Sequence, residues 1–192
     1  LNGAYDQAAD FLRRHPETSI AHYSMSYVLR YAGLLEQAGQ ECDAALAIDP
    51  GFNVFRSCAT PFILLGDYPR AQTYIRLDEH SGVAAMHRMF IALRTGNENA
   101  VLAESDAVSK GGYLLADLIR VRLTRGPDAQ LLEAATAVES DPRASRDAEE
   151  LYRNGEILSY CGQPEAALRQ LRKAIHGNYC SYPAMDKDPL FD

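Results

Sequence analysis

Residues 19–52 read SIAHYSMSYVLRYAGLLEQAGQECDAALAIDPGF, and the order of turn-forming and small residues in this stretch decides the fold. Gly33 is followed by Ala38, Cys42 and Ala45, at offsets of five, nine and twelve residues. Positions four and three apart share one face of an α-helix, so the second half of the stretch is a helix with a small apolar stripe. Gly33 permits the left-handed turn that ends the helix before it. Pro50, in Ile48-Asp49-Pro50, lacks a donor and disfavours helix at the preceding residue, so it stops the second helix. The unit is a helical hairpin.

Outward from this hairpin the same arithmetic recurs. Gly3, Gly33, Gly66, Gly96, Gly126 and Gly162 are spaced 30, 33, 30, 30 and 36 residues apart. Five residues after them stand Ala8, Ala38, Ala71, Val101, Leu131 and Ala167, all apolar. Nine after come Leu12, Cys42, Ile75, Ser105, Ala135 and Leu171, and twelve after come His15, Ala45, Asp78, Val108, Val138 and Ala174. One helix pair cannot bury both of its faces, so such pairs stack and share a continuous core. The chain therefore divides into a half repeat at 1–18, repeats at 19–52, 53–81, 82–111, 112–143 and 144–177, and a closing segment at 178–192. Pro61 falls inside a helix expected from Asn53 to Leu65, where it must leave the carbonyl near Ser57 unpaired and bend the helix.

These motifs resemble the tetratricopeptide repeat, whose unit of about 34 residues carries a bulky residue, a Leu and a small residue in its first helix, then Gly, Ala, an apolar residue, Ala and Pro. Ser19–Phe52 fits this signature. Leu151, Gly155, Leu158, Gly162, Ala167, Leu171 and Ala174 give a second match, and Gly66-Asp67-Tyr68 with Ala71 a third. Two repeats depart from it: Met89 stands where a small residue is usual, Val101 replaces Ala, and Arg122 occupies a position normally buried. The resemblance implies an all-α, right-handed superhelical solenoid of antiparallel helix pairs. Near the C-terminus, Gly177-Asn178-Tyr179-Cys180-Ser181-Tyr182-Pro183 and Asp188-Pro189-Leu190-Phe191-Asp192 are similar to the closing segment of repeat regions in bacterial Ser/Thr protein kinases, adenylate cyclases and winged-helix regulators. That similarity implies a docking or sensory module of a signalling protein. Both ends read as cut from a longer chain.

Composition narrows the functional classes. In 192 residues, 26 acidic against 19 basic side chains give a net charge of −7, which repels phosphate backbones and argues against nucleic acid as a partner. No apolar run approaches the roughly 20 residues that span a bilayer, so no membrane insertion is expected. Cys42, Cys58, Cys161 and Cys180 show no CxxC or zinc spacing and read as free thiols, which suits a reducing, cytoplasmic setting. His15, His22, His80, His87 and His176 form no metal motif. There is no P-loop, GxSxG or dinucleotide fingerprint. The acidic runs Glu149-Glu150 and Asp186/Asp188 read as helix-start or solvated carboxylates. The reading is a non-enzymatic protein-interaction scaffold with no cofactor and no metal. Small-molecule sensing and self-association stand as alternatives.

In tetratricopeptide arrays the first helix of each pair lines a concave groove. By register that resemblance assigns Tyr23, Tyr27, Arg30 and Tyr31, then Arg56, Thr60 and Ile63, then Met86, Phe90 and Arg94, then Ala116 and Arg120, then Tyr152, Glu156 and Tyr160. Tyr23, Tyr27 and Tyr31 recur every four residues and form one helical stripe, and tyrosine suits recognition surfaces. The arginines would favour a protein or peptide with acidic side chains or a free carboxylate.

Overall fold

A computed structural model describes residues 2–180 and 182–191; Leu1, Ser181 and Asp192 of the terminal segments quoted above lie outside the described residues. All regular structure among them is helical: α1 (Asn2–Arg14), α2 (Ser19–Tyr31), α3 (Leu35–Ile48), a 3₁₀ turn (Asn53–Cys58), α4 (Ala59–Leu64), α5 (Tyr68–Ile75), α6 (Gly82–Arg94), α7 (Glu98–Lys110), α8 (Leu115–Leu123), α9 (Asp128–Glu139), α10 (Ala148–Tyr160), α11 (Pro164–His176) and α12 (Tyr182–Met185). Two compact units divide the chain: residues 1–87 with 180–186, and residues 88–179 with 187–192.

Within the first unit the α2–α3 pair shows how the sequence makes the hairpin. Gly33 takes a left-handed φ of 77°, and the Gly33 and Leu34 amides turn back to donate to the Arg30 and Leu29 carbonyls at 3.0 and 2.9 Å. This satisfies carbonyls that a helix end otherwise leaves open. A side chain at Gly33 would also collide with the Cys180 carbonyl, because the Cys180 amide donates to Tyr31 O and brings the closing segment against this turn. Beyond the turn Ala38, Cys42 and Ala45 are all buried, as their spacing requires. Ala38 packs with Ala8, Met25 and Leu29, joining α1, α2 and α3. Gly39 lets the Phe62 ring of α4 approach, and Phe62 in turn stacks on Tyr74 of α5 with ring centroids 5.3 Å apart.

The expected helix over 53–65 is broken: a 3₁₀ turn runs to Cys58 and α-helix begins only at Ala59. Pro61 cannot donate to the Ser57 carbonyl, and Arg30 does so instead, Nη1 lying 2.9 Å from Ser57 O. The reading of four free thiols is corrected here. Cys42 of α3 and Cys58 of the 3₁₀ turn form a disulfide with Cα atoms 5.9 Å apart, leaving Cys161 and Cys180 as thiols. The two cysteines sit on faces that meet in the core, a proximity that spacing alone does not encode. The reducing-compartment expectation rested on free thiols and loses that support.

In the second unit the same turn recurs at Gly96 and Gly162, and α10 lies so close to α11 that a Cβ on Gly155 would strike the Leu171 side chain. Two glycine assignments change. Gly3 lies inside α1, and at the α8–α9 junction the left-handed residue is Arg125, with φ 53°, rather than Gly126. Arg122, expected inside, is exposed one turn before that junction, whereas Met89 is fully buried.

Denaturing thiol titration without reductant should find two reactive thiols per chain, and only the exposed Cys180 should react rapidly in the native protein. Reduction should lower the unfolding free energy by about 3 kcal/mol, the loop-closure value for a bridge of this span, as read by urea titration with and without reductant. Four thiols before reduction would refute the bridge.

Candidate functional site

In the first unit the tyrosine stripe of α2 forms a half-buried aromatic platform. Tyr23 rests on Phe55 with centroids 5.4 Å apart, and its hydroxyl meets Ser57 Oγ at 2.7 Å. Tyr27 and Tyr31 stack at 5.1 Å, with their hydroxyls 3.5 Å apart. Arg30 lies beneath, its guanidinium carbon 4.4 Å from the Tyr27 ring centre, while its side chain bonds Ser57. Helix register thus placed the rings together, and the proline-broken segment supplies the bonds that hold them.

The other positions assigned in this unit fall inside or are already paired. Arg30 is 3% exposed, and Ile63, Thr60 and Met86 are buried, Thr60 Oγ1 standing 3.3 Å from His87 Nε2. Arg56 is half-buried and pairs with Asp78 at 3.1 Å. Side chains in these positions do not offer free positive charge to a ligand, so the groove expected to be cationic is not cationic here.

In the second unit the assigned residues gather into a buried polar network. Glu149 and every residue of α10 from Leu151 to Leu158 are buried, with Glu150 half-buried between them, because α8, α9, α11 and residues 189–191 all pack on it. Arg94 Nη2 donates to Glu156 Oε1 at 2.7 Å and also to Asp188, and all three side chains are almost wholly enclosed. Asp188 in addition accepts from the Leu190 amide at 3.0 Å and so fixes the closing turn, with Phe191 near Tyr152. One guanidinium thus serves two carboxylates. Burial, with Asp188 beside it, pushes the Glu156 carboxyl up to about 8 despite Arg94. Burial and the same carboxylates also raise the Tyr152 phenol. Phe90 and Ala116 are core residues, Arg120 pairs with Asp106 at 2.6 Å, and Tyr160 remains half-buried.

The register therefore failed where a first helix is covered on every side, as α10 is. Asp188 was noted only as a solvated carboxylate; its place two residues before buried Leu190, preceding a proline, was the available signal for a turn-capping acid. Among the described residues no group of three or more His, Cys, Asp or Glu could hold a metal, and no helix is long and apolar enough to cross a membrane. The chain matches no protein-family model and no curated protein.

Ionising Glu156 beside Asp188 fixes the sign of a pH effect. Its folded value lies above the ordinary 4.5, so the stability it contributes is complete below that value and is lost as pH rises through about 8. Chemical denaturation between pH 5 and 8.5 should show stability falling by up to a few kcal/mol, and Glu156→Gln should flatten this slope. An unchanged slope in that variant would exclude Glu156 as the source. Arg94→Leu should destabilise by about 3–5 kcal/mol at neutral pH, since it leaves the buried Asp188 without its guanidinium partner.

Proposed function

We propose that this chain is a non-enzymatic docking scaffold built on tetratricopeptide-like helix pairs in a superhelical array, serving a bacterial signalling or regulatory protein, and that a partner's polypeptide segment lies across Tyr23, Tyr27 and Tyr31. The observation that carries the reading is the tyrosine platform itself. Three rings stand on one helix face, half accessible, and are fixed from below by Arg30, Phe55 and Ser57. Rigid tyrosines offer large amphipathic contact area at little entropic cost, which is what a recognition surface needs. The recurrence of a left-handed turn followed five residues later by a buried small or apolar residue supports the repeat architecture.

With Arg30 enclosed and Arg56 paired, the reading carries no preference for acidic segments. The disulfide favours an oxidising setting over the cytoplasm. Self-association has an observation of its own: Leu132 on α9 and Leu168 and Ile175 on α11 are 61%, 55% and 62% exposed. Light scattering over a concentration series separates that behaviour from a monomer.

Selection from a random displayed peptide library should enrich a family of segments whose binding weakens by about 2 kcal/mol or more in Tyr27→Ala/Tyr31→Ala, the cost of truncating aromatic anchors. The circular dichroism of the variant should match that of the parent. Failure to enrich any segment, or enriched segments indifferent to the substitutions, would overturn the reading.

A further inference from the structure

Residues 188–191 meet the second unit in the manner of a bound peptide. A 3₁₀ turn over Pro189–Phe191 is closed by Asp188, whose carboxylate accepts from the Leu190 amide at 3.0 Å and whose carbonyl accepts from the Phe191 amide at 3.1 Å. Among the described residues the backbone of this turn bonds only to itself, so side chains make the attachment. Asp188 lies on Arg94 at the end of α6, Leu190 is buried, and the Phe191 ring stands 6.2 Å from that of Tyr152 on α10. Asp186, Lys187 and Pro189, before and between these anchors, are exposed. What the unit receives is therefore a short pattern of an acid, any residue, Leu and an aromatic ring.

The receiving surface has an arrangement of its own without this occupant. In the absence of Asp188, Arg94 would still have the Glu156 carboxyl at 2.7 Å and the Phe90 carbonyl at 3.4 Å as acceptors. Nor does the occupant complete the surface. The Tyr152 hydroxyl is enclosed and, among the described residues, has no hydrogen-bond partner. A buried polar group in that state is costly and favours a ligand that supplies the bond. A segment of the same chain can hold such a site through imperfect contacts, because a short tether gives it an effective concentration in the millimolar range. A separate ligand lacks that help and gains from the missing bond.

We propose that the face of α10 beneath residues 188–191, together with Arg94, is a docking site for a partner's polypeptide segment of the form acid-x-Leu-aromatic, and that residues 188–191 occupy it as a built-in competitor. The partner's acid replaces Asp188 on Arg94, and its Leu and ring replace Leu190 and Phe191. A carbonyl or polar side chain beside that ring accepts from the Tyr152 hydroxyl. This site shares no residue with the tyrosine platform, and either can fail alone.

The test uses the whole chain and a fluorescein-labelled, capped peptide of residues 186–191, Asp-Lys-Asp-Pro-Leu-Phe. Fluorescence anisotropy should show binding at least tenfold tighter to the opened chain Leu190→Ala/Phe191→Ala, whose own segment is weakened, than to the parent. The peptide carrying Asp188→Asn should bind the opened chain at least tenfold more weakly, the loss of a charge-assisted contact. Glu133→Gln, on the exposed side of α9, should change nothing. Segments selected on the opened chain from a library with Asp-x-Leu-Phe fixed should lose at least tenfold on Tyr152→Phe, which keeps the ring and removes the hydroxyl. If the double alanine variant disturbs the fold, seen as lost amide dispersion, hydrogen exchange of the parent decides. The Leu190 and Phe191 amides should then exchange through a local opening that the α10 amides do not share. Exchange of those amides only with global unfolding, no saturation of the folded opened chain up to about 1 mM peptide, equal affinity for the Asp188→Asn peptide, or selected segments indifferent to Tyr152→Phe would overturn the proposal. Dimerisation of the parent that grows with concentration and is abolished by Leu190→Ala/Phe191→Ala would assign the site to a second copy's segment and likewise overturn it.

Discussion

A helix that turns back on itself within three residues must end in a conformation that places one residue at positive φ, and the next helix can then lie close only if its facing residues are small or well matched. Gly33 with Ala38, Gly66 with Ala71, and Gly162 with Ala167 meet both conditions at once. The rest depends on this pairing of a left-handed residue with a buried neighbour five positions on. It sets which stripe of each second helix faces inward, and so buries Cys42, Ile75, Ser105, Ala135 and Leu171. The condition belongs to the backbone rather than to glycine, for Arg125 adopts the same turn at a strain cost of order 1 kcal/mol.

Most of what lies inside these pairs is apolar, yet α10 buries Glu149, Arg153, Asn154 and Glu156. Enclosed charges are tolerated only when paired, and they are more dependable as specifiers of one arrangement than as sources of stability. Arg94 illustrates this. Its guanidinium draws together a carboxyl group from α10 and one from the C-terminal turn, residues far apart in the chain, and without either of them the buried guanidinium would lose a partner. Arg30 plays a related part in the first unit by serving a carbonyl that Pro61 deprives of its helical donor. Sequence exceptions such as the proline and the internal acid thus acquire their partners from guanidiniums.

The helical class, the turns at Gly33, Gly66, Gly96 and Gly162, and the inward stripe after them were legible because local periodicity encodes them. The tyrosine stripe was legible for the same reason. The orphaned carbonyl near Ser57 could be foreseen, but not that Arg30 would reach it, because a long side chain's destination depends on the neighbouring helix. The groove register carried over by resemblance misplaced Ile63, Met86, Phe90, Tyr152 and Glu156, which are buried. It assumed that each first helix keeps one open face, and for α10 packing on every side removes that face. The disulfide and the Arg94, Glu156 and Asp188 network were illegible for a common reason: each joins residues from different elements, and no spacing rule links them.

The bridge from Cys42 to Cys58 joins the second helix of one pair to the entry of the next. Under a pulling load applied at the chain ends, tandem helix pairs ordinarily peel away one at a time, each releasing its own length. The segment enclosed by the bridge cannot lengthen, so about 50 Å of extended chain stays hidden. The junction between α3 and the 3₁₀ turn becomes the part of the chain that resists stretching until its sulfurs are reduced, a fixed, redox-addressable knot within the first unit.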